Sequence, residues 1–415
     1  MDVIKRAAVT STTNMGAGVV RDPDGRVVFV AGAVEGDIVD AVITRRRSSY
    51  AEGEITELIT PSEHRVKTDC SVSDACGGCT YRHVSYEHEL SVKADHIKTA
   101  LKKCGINIEP EPFLTAGCCA VRSKVTVPVC GGASGYYARG SHEIVPCRRC
   151  LLHDPETDDI RAALTDANIS GLHHITVRRA SEGTMVILRG GSSGDAATSA
   201  DMLTKKFPFI TSIWHETDNI YTHISDDSAI YDTLAGCRFK ISPDSFYQVN
   251  HAGAELLYRR AIDAAALRDG ERVADLFCGT GTIGIAAAKT AEIELVGIEI
   301  NESAVADAHE NAEANGVRAR FIRGDAAKYD SGIFGGAAAD CVFLDPPRAG
   351  CSGALIEHLC RTHPRRIVYV SCEPATLARD AAKLTEAGYR IGSVTPVDMF
   401  PRTSHVETVT LLSEE

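Results

Sequence analysis

A glycine-rich turn between a strand and a helix constrains the fold of this 415-residue chain more than any other feature. The short run Val273–Leu276 predicts a buried strand, and Gly279–Gly284 follows it directly. Glycines let the backbone turn tightly into a helix and approach a bound ligand closely. A second strand is predicted at Glu294–Glu299, after a helical stretch. This alternation predicts an α/β fold with a largely parallel sheet for residues 246–415.

The glycine turn is compatible with two cofactors that contain a nucleoside. Gly279–Gly284 matches the G-x-G-x-x-G pattern of NAD sites, and Glu299 ends the next strand, where an acid can bind the ribose hydroxyls of either cofactor. The stretch Asp275–Gly281, however, reads Asp-x-Phe-x-Gly-x-Gly, which is typical of methyltransferases. Two further acids, Asp325 and Asp345, follow later strands. We therefore predict an S-adenosylmethionine-dependent methyltransferase rather than a dehydrogenase.

Cys372 is the candidate nucleophile of the C-terminal region. It follows the apolar run Ile367–Val370, and Glu373-Pro374 comes next. Proline has no amide donor and restrains the residue before it, so the strand must end here. Ligands of open α/β sheets bind at the carboxyl ends of strands, where a thiol is well placed to attack an electrophilic carbon. The alternative is a buried structural cysteine.

Fifteen cysteines form an unusually large set for a chain whose first residues lack the apolar core of a signal peptide. We expect a cytoplasmic protein, in which clustered cysteines indicate metal binding or catalysis rather than disulfides. Cys70, Cys76 and Cys79 lie close together, and Cys147-Arg148-Arg149-Cys150 is the obvious source of a fourth ligand. These residues leave two interpretations open, a four-cysteine zinc site and an iron–sulfur cluster.

The N-terminal 245 residues predict two further domains. Short strands around the hairpin signal Asp24-Gly25 predict a small OB-like β-barrel over residues 1–60. Its Arg45–Arg47 run, close to Tyr50, would suit RNA, although for the three arginines alone a solvated charged turn is the better explanation. For residues 61–245 we predict a helix near Ser85–Lys103, followed by an antiparallel sheet.

The charge distribution limits how a nucleic acid could be bound. The net charge is −12, but residues 61–150 contain 12 basic against 9 acidic residues. An RNA partner would therefore be held locally rather than by the whole surface. The longest apolar runs fall short of a membrane span, so we expect no membrane association. We also expect a monomer.

Three stretches of the C-terminal region resemble the motifs of bacterial RNA uracil-C5 methyltransferases, namely Asp345–Gly350, Val370–Asp380 and Asp398–Glu407. Three N-terminal stretches resemble the TRAM domain, an RNA-binding module: Gly16–Val19, Val28–Ala33 and Glu35–Asp37. The chain is most similar to the ribosomal RNA branch of the family, which carries a TRAM domain and a four-iron cluster. The resemblance implies a TRAM domain over residues 1–60, an α+β iron–sulfur domain over 61–245 and a Rossmann-like methyltransferase domain over 246–415.

The resemblance also implies roles for individual residues. Cys372 would be the nucleophile and Glu407 the base. S-adenosylmethionine would contact Gln248, Phe277, Thr282, Glu299, Asp325 and Asp345. A [4Fe-4S] cluster would be bound by Cys70, Cys76, Cys79 and Cys150, with no role for Cys147. The chain departs from the family pattern at Thr282, where asparagine is common, and at Pro347, where alanine is common.

Uracil C5 chemistry explains why such an enzyme needs both a cysteine and a base. C5 reacts poorly with a methyl sulfonium until a thiolate adds to C6, and a base must later remove the C5 proton. The uridine must also be unstacked, because a paired base hides both carbons. The alternatives are the same chemistry on transfer RNA, or a cytosine-C5 enzyme. Cytosine-C5 enzymes place a cysteine directly after Asp-Pro-Pro, where this chain has Arg348.

Overall fold

The structure is a computed structural model that describes residues 2–225, 227–329 and 331–414. The terminal residues of the predicted first and last domains, Met1 and Glu415, lie outside the described part. The chain forms three large sheets in sequence order, one near each end and one in the middle. Within the described ranges, no helix is both long and apolar enough to cross a membrane.

The N-terminal sheet contains six strands in the order β1-β5-β6-β4-β3-β2. The strands are β1 (Val3–Ala8), β2 (Ser11–Thr12), β3 (Ala17–Arg21), β4 (Val27–Ala31), β5 (Ile38–Arg46) and β6 (Ala51–Thr60). The predicted hairpin turn joins β3 to β4, with Gly25 at φ +81°. Gly18 is required for close packing, since a Cβ there would lie 2.6 Å from both Val9 and Ala33 side chains.

Helix α1 (Tyr86–Lys103) begins where the sequence predicts it. The Ser85 hydroxyl accepts a hydrogen bond from the His88 amide and caps the first turn. Ile97 and Leu101 lie one helical turn apart and are fully buried. They join the core of the C-terminal sheet, so one face of α1 packs against the last third of the chain.

The central sheet has seven strands in the order β13-β12-β11-β10-β7-β8-β9. The elements are β7 (Lys124–Cys130), β8 (Ala133–Tyr137), β9 (Ile144–Pro146), α2 (Pro155–Asp166), β10 (Leu172–Arg179), β11 (Thr184–Gly190), α3 (Ser193–Lys206), β12 (Ile210–Thr217) and β13 (Ile220–His223). The prediction of a wholly antiparallel sheet is wrong for one pair, because β11 and β12 run parallel. Helix α3 connects these two strands, and such a crossover returns the chain in the same direction.

The C-terminal region starts with a two-stranded ribbon and continues into a seven-stranded sheet. Its elements are β14 (Ile230–Leu234), β15 (Cys237–Ile241), α4 (His251–Ala265), β16 (Arg272–Leu276), α5 (Thr282–Ala287), β17 (Glu294–Glu299), α6 (Glu302–Ala314), β18 (Ala319–Arg323), two 3₁₀ turns (Ala326–Lys328 and Ser331–Phe334), β19 (Cys341–Leu344), α7 (Gly353–Thr362), β20 (Arg366–Ser371), α8 (Pro374–Glu386), β21 (Arg390–Val397) and β22 (Glu407–Ser413).

The order of the last sheet is β18-β17-β16-β19-β20-β22-β21, and β16 to β20 are parallel. Alternate residues of β20 enter different cores, with Val368 and Val370 on one face and Ile367 and Tyr369 on the other. Burial on both faces explains the continuous apolar run. The strand order reverses at β16, which is the crevice where ligands of such sheets bind.

Candidate active site

The glycine turn leads from β16 into α5 with three alternate residues in an unusual backbone conformation. Phe277, Gly279 and Gly281 all have positive φ, at +66°, +54° and +80°. Phe277 is the unusual member, because a side chain disfavours this conformation. The Gly284 amide donates a 2.9 Å hydrogen bond to Asp275 Oδ2, which ties the turn to the strand below it. Burial raises the pKa of Asp275 to about 7.

Glu299 ends β17 and faces the glycine turn. Its Oε2 accepts a hydrogen bond of 3.1 Å from the Gly279 amide, and its Oε1 accepts one of 2.8 Å from the Asn301 amide. Each carboxylate oxygen can accept further hydrogen bonds, as ribose hydroxyls would require. A Cβ at Gly279 would meet no atom within 4 Å, so the space above the turn is open.

A cleft of about 750 Å³ joins this turn to the predicted catalytic residues. Seven of the eight predicted catalytic and cofactor residues line it: Gln248, Phe277, Glu299, Asp325, Asp345, Cys372 and Glu407. The eighth, Thr282, lines a small adjoining cavity together with Phe277 and Asp345. The Thr282 hydroxyl donates a 3.1 Å hydrogen bond to the buried Tyr258 hydroxyl, so it supports the floor of the cleft.

Cys372 occupies the turn between β20 and α8, as the sequence predicts. The Glu373 amide donates to the Ser371 hydroxyl, and Pro374 opens the helix. Burial is the largest influence on the Cys372 thiol and raises its pKa to about 11, and the negative charges of Glu407 and Asp345 act in the same direction. Arg348 opposes them. The thiol is therefore protonated at neutral pH before substrate binds.

Glu407 is the first residue of β22 and is almost completely buried. Burial raises its pKa well above the usual range, Asp345 adds to that effect and Arg348 opposes it. Asp345 follows β19 and touches both the main cleft and the smaller cavity. Burial also raises the pKa of Asp345 to about 7. Cys372, Glu407 and Asp345 therefore form one electrostatic unit in the cleft.

The structure adds three cleft residues to which sequence reasoning gave no role. Arg348 Nη2 and His405 Nε2 lie 3.2 Å apart and both line the cleft, and Ile300 lines it with 69% of its surface exposed. The sequence signal that could have identified these residues was their position within or next to the motifs. Arg348 follows Asp-Pro-Pro, and Ile300 follows the strand-end acid Glu299.

A second cavity lies between the cysteine-rich loop and the central sheet. Five cysteines line it: Cys70, Cys76, Cys79, Cys147 and Cys150. Burial raises the pKa of Cys79 to about 11, and the neighbouring Cys150 and Cys76 contribute. The Cys147 thiol donates a hydrogen bond of 2.9 Å to the Arg149 carbonyl. In the described part of the chain, no three His, Cys, Asp or Glu side chains already stand in an arrangement that could hold a metal ion.

The arginine run of the N-terminal sheet is largely occupied by ion pairs. Arg46 pairs with Asp2 at 2.7 Å, and Arg47 lies 3.5 Å from Glu52. Arg45 and Arg46 are the exposed last residues of β5, so the run is a charged strand end rather than a turn.

Two family models match the chain. Residues 4–56 match the TRAM domain, and residues 223–415 match the tRNA (uracil-5-)-methyltransferase family. A protein of Thermosynechococcus vestitus, described as an uncharacterized RNA methyltransferase, is 35% identical over 98% of this chain and 97% of its own. A protein of Halalkalibacterium halodurans with the same description is 33% identical over 99% and 97%.

Among solved structures, the chain is similar to the tRNA (uracil-54, C5)-methyltransferase of Pyrococcus abyssi in complex with S-adenosyl-L-homocysteine. The TM-score is 0.79 at 26% identity, and the similarity covers 98% of this chain and 100% of the other. This similarity extends over all three large sheets.

Proposed function

Because the chain belongs to the RNA (uracil-5-)-methyltransferase family and is an S-adenosylmethionine-dependent enzyme, we propose that it methylates C5 of a uridine in 23S ribosomal RNA through a covalent bond to Cys372. The observation that carries the proposal is that Cys372, Glu407 and Asp345 line one cleft and influence one another electrostatically. Gly279 of the glycine turn and Glu299 line the same cleft.

The cleft residues fit S-adenosylmethionine, which supplies an electrophilic methyl group when bound. Glu299 would accept hydrogen bonds from the ribose hydroxyls, and the exposed Ile300 would offer an apolar surface in the same cleft. Gln248, Phe277 and Asp325 line the same part of the cleft, while Thr282 supports it from below. Asp345 lines both this cleft and the smaller cavity beside the glycine turn, and its charge acts on Cys372, so it would border both the methyl donor and the uracil.

The chain's side chains act in a fixed order. The Cys372 thiol gives its proton to solvent, and the thiolate sulfur bonds to uracil C6. The C5=C6 electron pair, now carried at C5, bonds to the methyl carbon, while the bond between that carbon and the sulfonium sulfur breaks. Arg348 favours the thiolate because its charge lowers the pKa of Cys372. Glu407 removes the C5 proton, the double bond re-forms, and the bond between sulfur and C6 breaks. The raised pKa of Glu407 makes its carboxylate a stronger base.

We also propose that Cys70, Cys76, Cys79 and Cys150 hold a [4Fe-4S] cluster. The donor set fits, because these four thiols line one cavity. Cys147 lines it too, but its thiol is already directed to the Arg149 carbonyl. This contact supports Cys150 as the fourth ligand. The domain limits, the cytoplasmic location and the monomeric state also stay predictions.

The RNA target is tested by mapping 5-methyluridine in ribosomal and transfer RNA from cells that lack the gene. Loss of a 5-methyluridine from 23S ribosomal RNA is the expected result, and the purified protein should restore it in vitro. The similarity to the Pyrococcus abyssi enzyme makes transfer RNA the second candidate. Loss of the modification from transfer RNA alone would reverse the assignment.

A further inference from the structure

The segment between β21 and β22, residues 398–406, leads directly to Glu407 and is here called the base loop. It contains turns but no helix or strand. It also carries His405, which lines the cleft. A loop without its own ladder of hydrogen bonds takes its geometry from the elements that it contacts. The position of Glu407 therefore depends on what holds the base loop.

Arg402 is the most constrained residue of the base loop. Its φ is +67°, a left-handed conformation that is unfavourable for a residue with a Cβ. Its carbonyl accepts hydrogen bonds from the amides of Thr80 at 2.7 Å and Tyr81 at 3.1 Å. Its own amide donates to Glu89 Oε1 at 2.7 Å. Such backbone conformations persist where surrounding contacts impose them, often beside active sites.

The Arg402 side chain returns to the same segment. Its Nη1 donates to the Val84 carbonyl at 3.0 Å and to Glu89 Oε2 at 3.4 Å. The guanidinium also lies over the Tyr86 ring, 5.4 Å from its centroid. Backbone and side chain of this one residue are thus both bound by residues 80–89, more than 300 positions earlier in the chain.

Lys93 fixes the beginning of the base loop. Its side chain is only 1% exposed, and its Nζ donates to Glu89 Oε1 and Asp398 Oδ1 at 2.8 Å each. It also donates to the Phe400 carbonyl at 3.2 Å. The Tyr86 hydroxyl donates to the other Asp398 oxygen at 2.6 Å. One segment, residues 80–93, therefore holds the base loop at three points.

We propose that Arg402 is a positioning residue, and that residues 80–93 form a receptor which places Glu407 for removal of the C5 proton. The proposal rests on the proposed function, because it takes Glu407 as the base. The receptor begins one residue after Cys79, so the cysteine cavity is covalently continuous with it.

The test separates attack by Cys372 from release by Glu407. Arg402→Ala should bind S-adenosylmethionine as the wild type does, and 5-fluorouridine RNA should still trap it. With ordinary RNA its turnover should fall about 10- to 100-fold, because small displacements of a catalytic group are costly. A denaturation-resistant adduct that already carries the methyl group should accumulate. Arg402→Lys should restore part of the rate, since it retains one charged donor.

Two further variants sharpen the result. Arg402→Gly relieves the left-handed backbone but removes the side chain, so it should stay defective. Arg238→Ala is the matched control, because Arg238 also pairs with a glutamate and stacks on a tyrosine, away from the cleft. Tyr86→Phe provides a milder change should Arg402→Ala fail to fold, and it should slow release by a smaller factor.

Three kinds of outcome would overturn the proposal. Release at the wild-type rate in Arg402→Ala, or full recovery in Arg402→Gly, overturns the positioning role. Equal losses of cofactor binding, trapping and release overturn it too, because they indicate general destabilisation. If fluorinated RNA does not trap even the wild type, the covalent mechanism itself fails, and the positioning role falls with it.

Discussion

Cys372 and Glu407 lie at the meeting ends of two adjacent strands that run in opposite directions. Ser371, the last residue of β20, pairs with Thr408 of β22. One further step along each chain reaches the thiol on one side and the carboxyl group on the other. The sheet register therefore brings together the proposed nucleophile and the proposed base, which are 35 positions apart in sequence. A one-residue slip would move Glu407 to the opposite face.

Substituting Cys372 or Glu407, one at a time, should block the reaction at different steps. Cys372→Ala should form neither adduct nor product. Glu407→Gln should attack and methylate but release product about 100- to 10,000-fold more slowly, since general base catalysis contributes that much. Denaturing gels with methyl-labelled cofactor would show the retained label. Cys360→Ala, which alters a partly buried cysteine outside the cleft, should behave as the wild type. Normal turnover of Cys372→Ala would contradict the covalent mechanism.

Glu299→Ala should weaken the binding of S-adenosylmethionine. Hydrogen bonds to a charged acceptor contribute about 1.5–3 kcal/mol, which corresponds to roughly a 10- to 150-fold rise in Kd. Isothermal titration calorimetry measures this directly. Glu302→Ala is the matched control, because Glu302 is exposed three residues later and pairs with Arg323. Tight binding of NAD in place of S-adenosylmethionine would reverse the cofactor assignment.

Anaerobically purified protein should contain about four irons per chain and be brown. Elemental analysis should show that Cys150→Ser loses more iron than Cys147→Ser, because the Cys147 thiol is already directed to the Arg149 carbonyl. Stoichiometric zinc without iron would establish the alternative metal site. The reverse order of the two variants would exchange the roles of Cys147 and Cys150.

The stability of the ligand-free protein should respond to pH through Asp345. Burial raises its pKa from 3.8 to about 7, so the folded state binds a proton that the unfolded chain releases. The contribution of this bound proton to the free energy of unfolding is fully present below about pH 4 and is lost as pH rises through about 7. Asp345→Asn removes this loss, which amounts to at most about 4 kcal/mol.

Denaturant unfolding at pH 5 and pH 8 checks this prediction. Relative to the wild type, Asp345→Asn should gain stability as pH rises between these values. Asp263→Asn alters an exposed carboxylate of α4 and should show little change. A difference between Asp345→Asn and wild type that stays constant with pH would show that the Asp345 carboxyl is ionised in the folded protein throughout this range.

Local features of the sequence predicted much of the methyltransferase region. The strand before Gly279, the helix after it and the turn at Cys372 depend on residues within a few positions of one another. Glycine, proline and a continuous apolar run each restrict the backbone directly. The direction of β12 could not be predicted in this way. An apolar strand looks the same in a parallel or antiparallel pair, and only the crossover through α3 decides between them.

For the candidate site, too, some features could be predicted from local sequence and others only from the tertiary structure. The sequence by itself determined which residues are candidates for the chemistry, including Cys372, Glu299 and the clustered cysteines, because they stand at predicted strand ends, in tight spacings or in motifs that resemble those of a family. Only the tertiary structure decided how Arg348 and Asp345 act on Glu407, and that Arg402 is held by residues 80–93. Electrostatic shifts depend on burial and distance, and the Arg402 contacts join segments more than 300 positions apart. Neither the pKa shifts nor the Arg402 contacts can be read from local sequence, because both arise only when distant strands and helices pack together.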